Sequence, residues 1–287
     1  MQGLSACVVL LLVLLYRGSV AQIPTACADR QSLEQMTCCP VTADGVCGED
    51  AGRGECASVN FDRHSNDTTN VRVNWPHYYT RICKCSGNFG GYDCSRCKYG
   101  YYGPDCAARA IIPRKPVREF SEEEWREFIA IVRMTKTWET DYSVVLEERV
   151  PGTADLVMTN ISLYDLWVWF HHYAGKDGVD LFSPDYIDYA HIGPAFFTWH
   201  RWFHIFLENE IQAMLEAMGR EDYYKFRLPY WDWRREIQTS YGLPSEELFS
   251  FSRFGETRNV SNSPVVFGDL VGDWNAVCHA TPEICNP

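Results

Sequence analysis

Ten cysteines fall between residues 22 and 110, and that density constrains the fold of this chain more than any other feature. Apolar periodicity is poor across the same stretch and Gly, Asp and Asn are frequent, so cross-links must stand in for a large hydrophobic core. The chain has thirteen cysteines in all. Cys7 lies in a leader, which leaves twelve, an even number suited to disulfides in an oxidising compartment. That leader, residues 1–21, carries an unbroken apolar run at residues 8–15, too short to span a bilayer, and ends on the small-residue cleavage pattern Ser19-Val20-Ala21. It reads as a secretory signal.

Other features agree with a secreted glycoprotein. Asn66, Asn160 and Asn259 each open an Asn-x-Ser/Thr sequon, an acceptor pattern for glycosylation. A net charge of −12 without basic runs argues against nucleic acid and anionic membrane surfaces as partners. No later segment approaches transmembrane length, and membrane association is left open. Within the cysteine-rich module, Cys83, Cys85, Cys94, Cys97 and Cys106, with Gly87, Gly90, Gly91 and Gly103 between them, resemble an EGF-like unit of the laminin kind. A zinc or redox reading of Cys94-x-x-Cys97 lacks the second pair or the βαβ context that it needs. Tyr99, Tyr101 and Tyr102 read as surface aromatics. The module itself suits either a partner-binding role or a structural lobe packed on the domain that follows.

From about residue 111 the pattern turns helical. Ser121 and Glu124 form a capping box, Phe120 and Trp125 a hydrophobic staple, and Trp125, Phe128, Ile129 and Val132 an apolar face. Residues 169–210 then hold five of the eight histidines. Ser162 followed by Asp165 starts a helix on which Leu163, Trp167, His171 and Ala174 share one stripe, aiming His171 inward. His172 is rotated about 100° away, so the two neighbours cannot face one point. A turn-rich segment at residues 175–186 leads to His191. Gly193-Pro194 opens another helix, with His200, Leu207, Ile211, Met214 and Met218 as its inward stripe and Gly219 as its stop. Three imidazoles can therefore converge, one from a helix, one from a loop and one from the next helix. Neutral imidazoles are common ligands for a redox metal such as copper.

The run His191-Ile-Gly-Pro-Ala-Phe-Phe-Thr-Trp-His200-Arg201, with Glu208 beyond it, resembles the first copper-binding signature of the tyrosinase family. Leu228-Pro-Tyr-Trp-Asp-Trp-Arg234 resembles the segment that follows it. With the order of the N-terminal cysteines, the likeness points to the animal, melanogenic branch of tyrosinases and tyrosinase-related proteins. It implies that His171, His191 and His200 bind copper A, that Phe196 and Trp199 pack around these ligands, and that Arg201 and Glu208 orient the second helix. No catalytic residue is implied beyond the metal ligands. The implied fold is mainly α: an incomplete tyrosinase-type helical bundle, the copper A half, over residues 111–287, preceded by the EGF-like module at 22–110. The implied pairings are Cys27 with Cys38, Cys39 with Cys56, Cys47 with Cys83, Cys85 with Cys94, and Cys97 with Cys106. Cys278 and Cys285 are expected to close a short loop.

The family function implied is copper-dependent oxidation of monophenols and o-diphenols such as tyrosine and DOPA to o-quinones, in melanin synthesis, with O2 as co-substrate. It would take place in a melanosome-like organelle or outside the cell. A second, copper B site is part of that chemistry. After His204 the only histidine is His279, so copper B ligands are absent from this sequence, and residues 22–287 are expected to be inactive alone. The alternative is a non-enzymatic secreted copper-binding or regulatory protein derived from a tyrosinase. An oxygen carrier of the molluscan haemocyanin kind shares the copper motif but not the cysteine module. His172 is expected to pack beside the site. His204, one helical turn after His200 where the signature has an aliphatic residue, is expected to pack as well, an i, i+4 chelate with His200 being the weaker reading.

Overall fold

Residues 139–162 carry β-branched and aromatic side chains through Tyr142, Val144, Val145, Val157, Thr159 and Ile161, split by Pro151-Gly152, a composition that suits a pleated half-buried surface. In the computed structural model, which describes residues 22–59, 78–150, 153–174, 178–179, 186–187, 190–191 and 193–232, they form an antiparallel pair. Strand Glu139–Glu148 runs against Leu156–Ser162, with Val144 opposite Thr159 and Ser143 opposite Asn160. Gln22–Pro24 adds a third, antiparallel strand, placing Ile23 opposite Ser143.

The mainly α bundle expected for this region is thus corrected. Four α-helices and six small sheets coexist among the described residues, and the molecule is mixed α and β. A 3.6-residue apolar stripe holds only over three segments. Between the first two of these, the period falls to two and the chain pairs with itself.

The helices are α1 (Arg30–Glu34), α2 (Glu122–Thr135), α3 (Leu163–Ala174) and α4 (Ala195–Ala217). Their starts follow local signals. Ser121 accepts from the Glu124 amide while the Glu124 carboxylate accepts from the Ser121 amide, closing the capping box on α2. The Phe120 ring meets Trp125 edge-on at 5.8 Å as the staple. Ser162 Oγ accepts from the Asp165 amide at 3.1 Å to begin α3. Pro194 precedes α4, and Gly219, in the left-handed region at φ 79°, ends it.

Two apolar clusters fix α3. On one side Leu163 joins Ile131 of α2 and Leu207, Ile211, Met214 and Leu215 of α4. On the other, Leu166 and Trp169 pack on Val144 and Ile161 of the hairpin. Met218, expected on the inward stripe of α4, lies exposed past its last turn.

In the cysteine-rich segment, strand Arg81–Cys85 sits between Thr37–Cys38 and Gly54–Ser58. Five disulfides cross-link it: Cys27–Cys38, Cys39–Cys56, Cys47–Cys83, Cys85–Cys94 and Cys97–Cys106. The buried sulfurs of Cys47, Cys83 and Cys94 form much of its small core, as expected of a module that replaces apolar side chains by bridges. Beyond α4 the chain returns to the region ahead of α2, where the Val117 amide donates to the Tyr230 carbonyl and the Tyr230 amide to that of Lys115. No helix among the described residues is long and apolar enough to cross a membrane. The leader, Asn66, Asn259, Cys278 and Cys285 lie outside the described residues.

Candidate metal centre

His171 lies near the C-terminal end of α3, His200 in the second turn of α4, and His191 in the segment between them. Their candidate ligand nitrogens all lie within 4.8 Å of one another. The Nε2 atoms of His171 and His191 stand 3.1 Å apart. His200 Nδ1 is 2.8 Å from the Phe196 carbonyl. A carbonyl only accepts, so Nδ1 carries the proton and the Nε2 lone pair is left for a ligand.

This donor set fits copper. Two nitrogens each about 2.0–2.1 Å from one ion, the usual imidazole–metal distance, come to about 3 Å from each other. The hydrogen bond at His200 Nδ1 is the outer support that typically fixes the tautomer and orientation of a ligating imidazole. Imidazole donors suit a redox-active ion, and copper stands high in the affinity order for such sites. Among the described residues one further group, Cys39, Cys47 and Cys83, brings ligand-type atoms together. Its sulfurs are all spent in disulfides.

Aromatic rings surround the imidazoles. The Phe196 ring centroid lies 4.3 Å from that of His200, and Trp199 meets His200 edge-on at 4.8 Å. Beneath them Trp199 stacks on Phe203 at 4.9 Å, and Phe203 on Trp167 at 5.0 Å. This apolar floor joins α3 to α4 under the ligands and limits the approach of water from below. On the other side, among the described residues, His171 is exposed and Phe197 is 79% exposed.

The two other histidines stand apart from the convergence. His172 is half-buried on its own side of α3. His204 is half-buried too, and its pKa is lowered, first by burial and then by the Arg114 guanidinium. Its ring lies 6.2 Å from Phe203, and it does not join the group of converging nitrogens. His204→Leu is therefore expected to leave the copper content of the purified chain unchanged, by elemental analysis after dialysis. A clear loss would make it a ligand.

Arg201 is exposed. Glu208 is fully buried and sits among donors from far along the chain, not among the imidazoles. It accepts from the Tyr99 hydroxyl at 2.6 Å, from Arg114 Nε at 2.8 Å and from the Leu228 amide at 2.9 Å. Glu210, two residues on, accepts from Arg96 at 2.8 and 2.9 Å. Arg96 also reaches Asp141 on the hairpin. Burial, and next the hydrogen bond to Glu208, push the Tyr99 hydroxyl up to about 12, so it stays protonated and donates. Arg227 lies over the Tyr99 ring at 4.9 Å, and Tyr102 stacks on Tyr224 at 3.8 Å. Tyr99 and Tyr102, read as surface aromatics, thus belong to a contact between the cysteine-rich segment and α4 with the turn that follows it. The sequence holds one signal for it: two carboxylates, Glu208 and Glu210, on a largely apolar helix need partners if buried. Asn160 is exposed on its strand, with its side-chain oxygen accepting from Ser143 at 3.0 Å.

Comparison with known proteins adds the following. The common central domain of tyrosinase matches residues 161–282, a span that contains all three converging histidines. A tyrosinase of Pelophylax lessonae is 35% identical over 301 residues, covering 96% of this chain and 53% of its own. The 5,6-dihydroxyindole-2-carboxylic acid oxidase of Homo sapiens is 31% identical over 292 residues, covering 94% and 52%. A tyrosinase of Coturnix japonica is 34% identical over 240 residues, covering 78% of this chain and 85% of its own. The chain spans about half the length of the first two.

Proposed function

The chain belongs to the tyrosinase family, and on that premise we propose that it provides the copper A site of a tyrosinase-type oxidoreductase acting on phenols in melanin synthesis. The observation that carries this reading is the convergence of His171, His191 and His200 on one point from two helices and the segment between them. Copper held there would supply one of the two one-electron centres that O2-dependent oxidation of phenols to o-quinones requires.

The chain's own residues account for the rest. His200 offers Nε2 because the Phe196 carbonyl holds its Nδ1 proton. The Trp199, Phe203 and Trp167 stack gives α3 and α4 a common apolar floor, which holds His171 and His200 in register. We place residues 22–110 as a disulfide-bonded EGF-like module and residues 111–287 as the metal-bearing part. Five disulfides fit an oxidising compartment, the secretory pathway or a melanosome-like organelle.

A second reading, a secreted copper-binding or regulatory protein, rests on the same three imidazoles and the disulfide-bonded segment ahead of them. The two readings share an expected result. Residues 22–287, purified with disulfides formed, bind one copper ion with a Cu(II) EPR spectrum showing nitrogen hyperfine structure, and do not oxidise DOPA by themselves. Absence of copper binding rejects both readings, and robust copper-dependent DOPA turnover rejects the second and, in the first, the need for a further copper site.

A further inference from the structure

The three-imidazole site depends on two helices keeping their relative position, and the cysteine-rich segment touches the supports of both. We propose that Arg96 and Tyr99 are positioning residues of the metal centre, acting through Glu210, Glu208 and Asp141. This rests on the copper reading above.

Consecutive residues of an α-helix are about 100° apart around its axis, so Glu208 and Glu210 project about 200° apart. Tyr99, with Arg114, holds the first, and Arg96 holds the second. A helix gripped at two nearly opposite points cannot turn about its axis, and that rotation decides where His200, two turns earlier, directs its nitrogen. Arg96 has a second role. Its other guanidinium nitrogen binds Asp141 on strand Glu139–Glu148. That strand pairs with Leu156–Ser162, which runs directly into α3 and His171. One side chain therefore ties the support of His200 to the support of His171.

The grip is rigid because of where it is built. Arg96 lies between Cys94, bonded to Cys85, and Cys97, bonded to Cys106, and Tyr99 follows two residues later. The planar guanidinium is suited to a two-carboxylate bridge, and lysine cannot reproduce the fork. Neither residue touches an imidazole, so each acts only through α4 and the hairpin.

The test uses the full secreted chain with its disulfides formed, loaded with copper. Arg96→Met and Tyr99→Phe are each expected to weaken copper binding about 10–100-fold, the usual cost of losing an outer support of a metal ligand, and to shift the Cu(II) EPR parameters. Arg96→Lys should restore binding only partly. Phe128→Ala, in the α2 cluster around Trp125 that includes no residue of the hairpin or of α4, lowers stability but should leave the EPR spectrum of the folded protein unchanged. If Arg96→Met does not fold, Tyr99→Phe decides, since it removes one hydroxyl and keeps the ring. Folded variants with wild-type affinity and wild-type EPR parameters overturn the proposal while leaving the copper reading intact. A wild-type chain that binds no copper overturns both.

Discussion

His200→Ala is expected to strip copper from the chain. Wild-type protein dialysed against buffer should retain close to one copper per chain, and the variant close to none. The imidazole lost is the one whose proton is placed by the chain itself, through the Phe196 carbonyl at 2.8 Å, so its Nε2 is presented without reorganisation. What remains is His171 and His191, with Nε2 atoms 3.1 Å apart, two ligands on an exposed rim. Losing an outer support alone costs about 10–100-fold in affinity, and losing a ligand should cost more. His200 is half-buried and lies in the second turn of α4, so the helix should survive the change and far-UV circular dichroism should match the wild type. Copper content unchanged by this substitution would falsify the ligand assignment. Comparison with His204→Leu, one turn further along the same helix, separates loss of a ligand from general disturbance of α4.

Glu208→Ala is expected to cost the fold about 3 kcal/mol or more, the range for removing one member of a buried ion pair. Three donors meet on that one carboxylate, from Tyr99, Arg114 and the Leu228 amide. The Arg114 side chain is 31% exposed and can regain water in part, which places the effect near the lower end. The Leu228 amide, on a half-buried residue, loses its acceptor as well, and a donor left unsatisfied away from water costs about 1–3 kcal/mol. Against a typical domain stability of about 5–15 kcal/mol, the loss is large. Urea unfolding with disulfides intact measures it. Glu208→Gln keeps an acceptor for Leu228 and should lose less. A change below about 1 kcal/mol for the alanine variant would show that the cluster relaxes into solvent and that the carboxylate is not a keystone of this contact.

These two glutamate and histidine positions also show where sequence reading succeeds. The capping box of α2, the Ser162 start of α3 and the Pro194 and Gly219 limits of α4 were legible because each signal lies within one helical turn of the atoms it satisfies. The three histidines were legible because two helical stripes and a turn bring them together at short range. Residues 139–162 were not read as a hairpin, and a mainly α bundle was expected instead. Their alternation is interrupted by register shifts between Glu139 and Ser143 and between Val145 and Glu147, which blur the period of two. Glu208 was given its helix-orienting role by resemblance alone. Its actual partners lie 109, 94 and 20 residues away along the chain, and no local pattern specifies them.

The sequence by itself determined that α2, α3 and α4 are helices, where each begins, where α4 stops, and which three imidazoles could share an ion. These are short-range matters, decided by periodicity, caps and spacing. Tertiary structure alone decided that the first described strand, Gln22–Pro24, joins the hairpin beside α3. It also decided that Arg96 and Tyr99 of a disulfide-bonded segment grip Glu208 and Glu210 of α4. The reason is physical. A buried carboxylate must find donors once water is excluded, but which donors reach it depends on how distant segments close on one another, and that closure is fixed only when the whole chain packs.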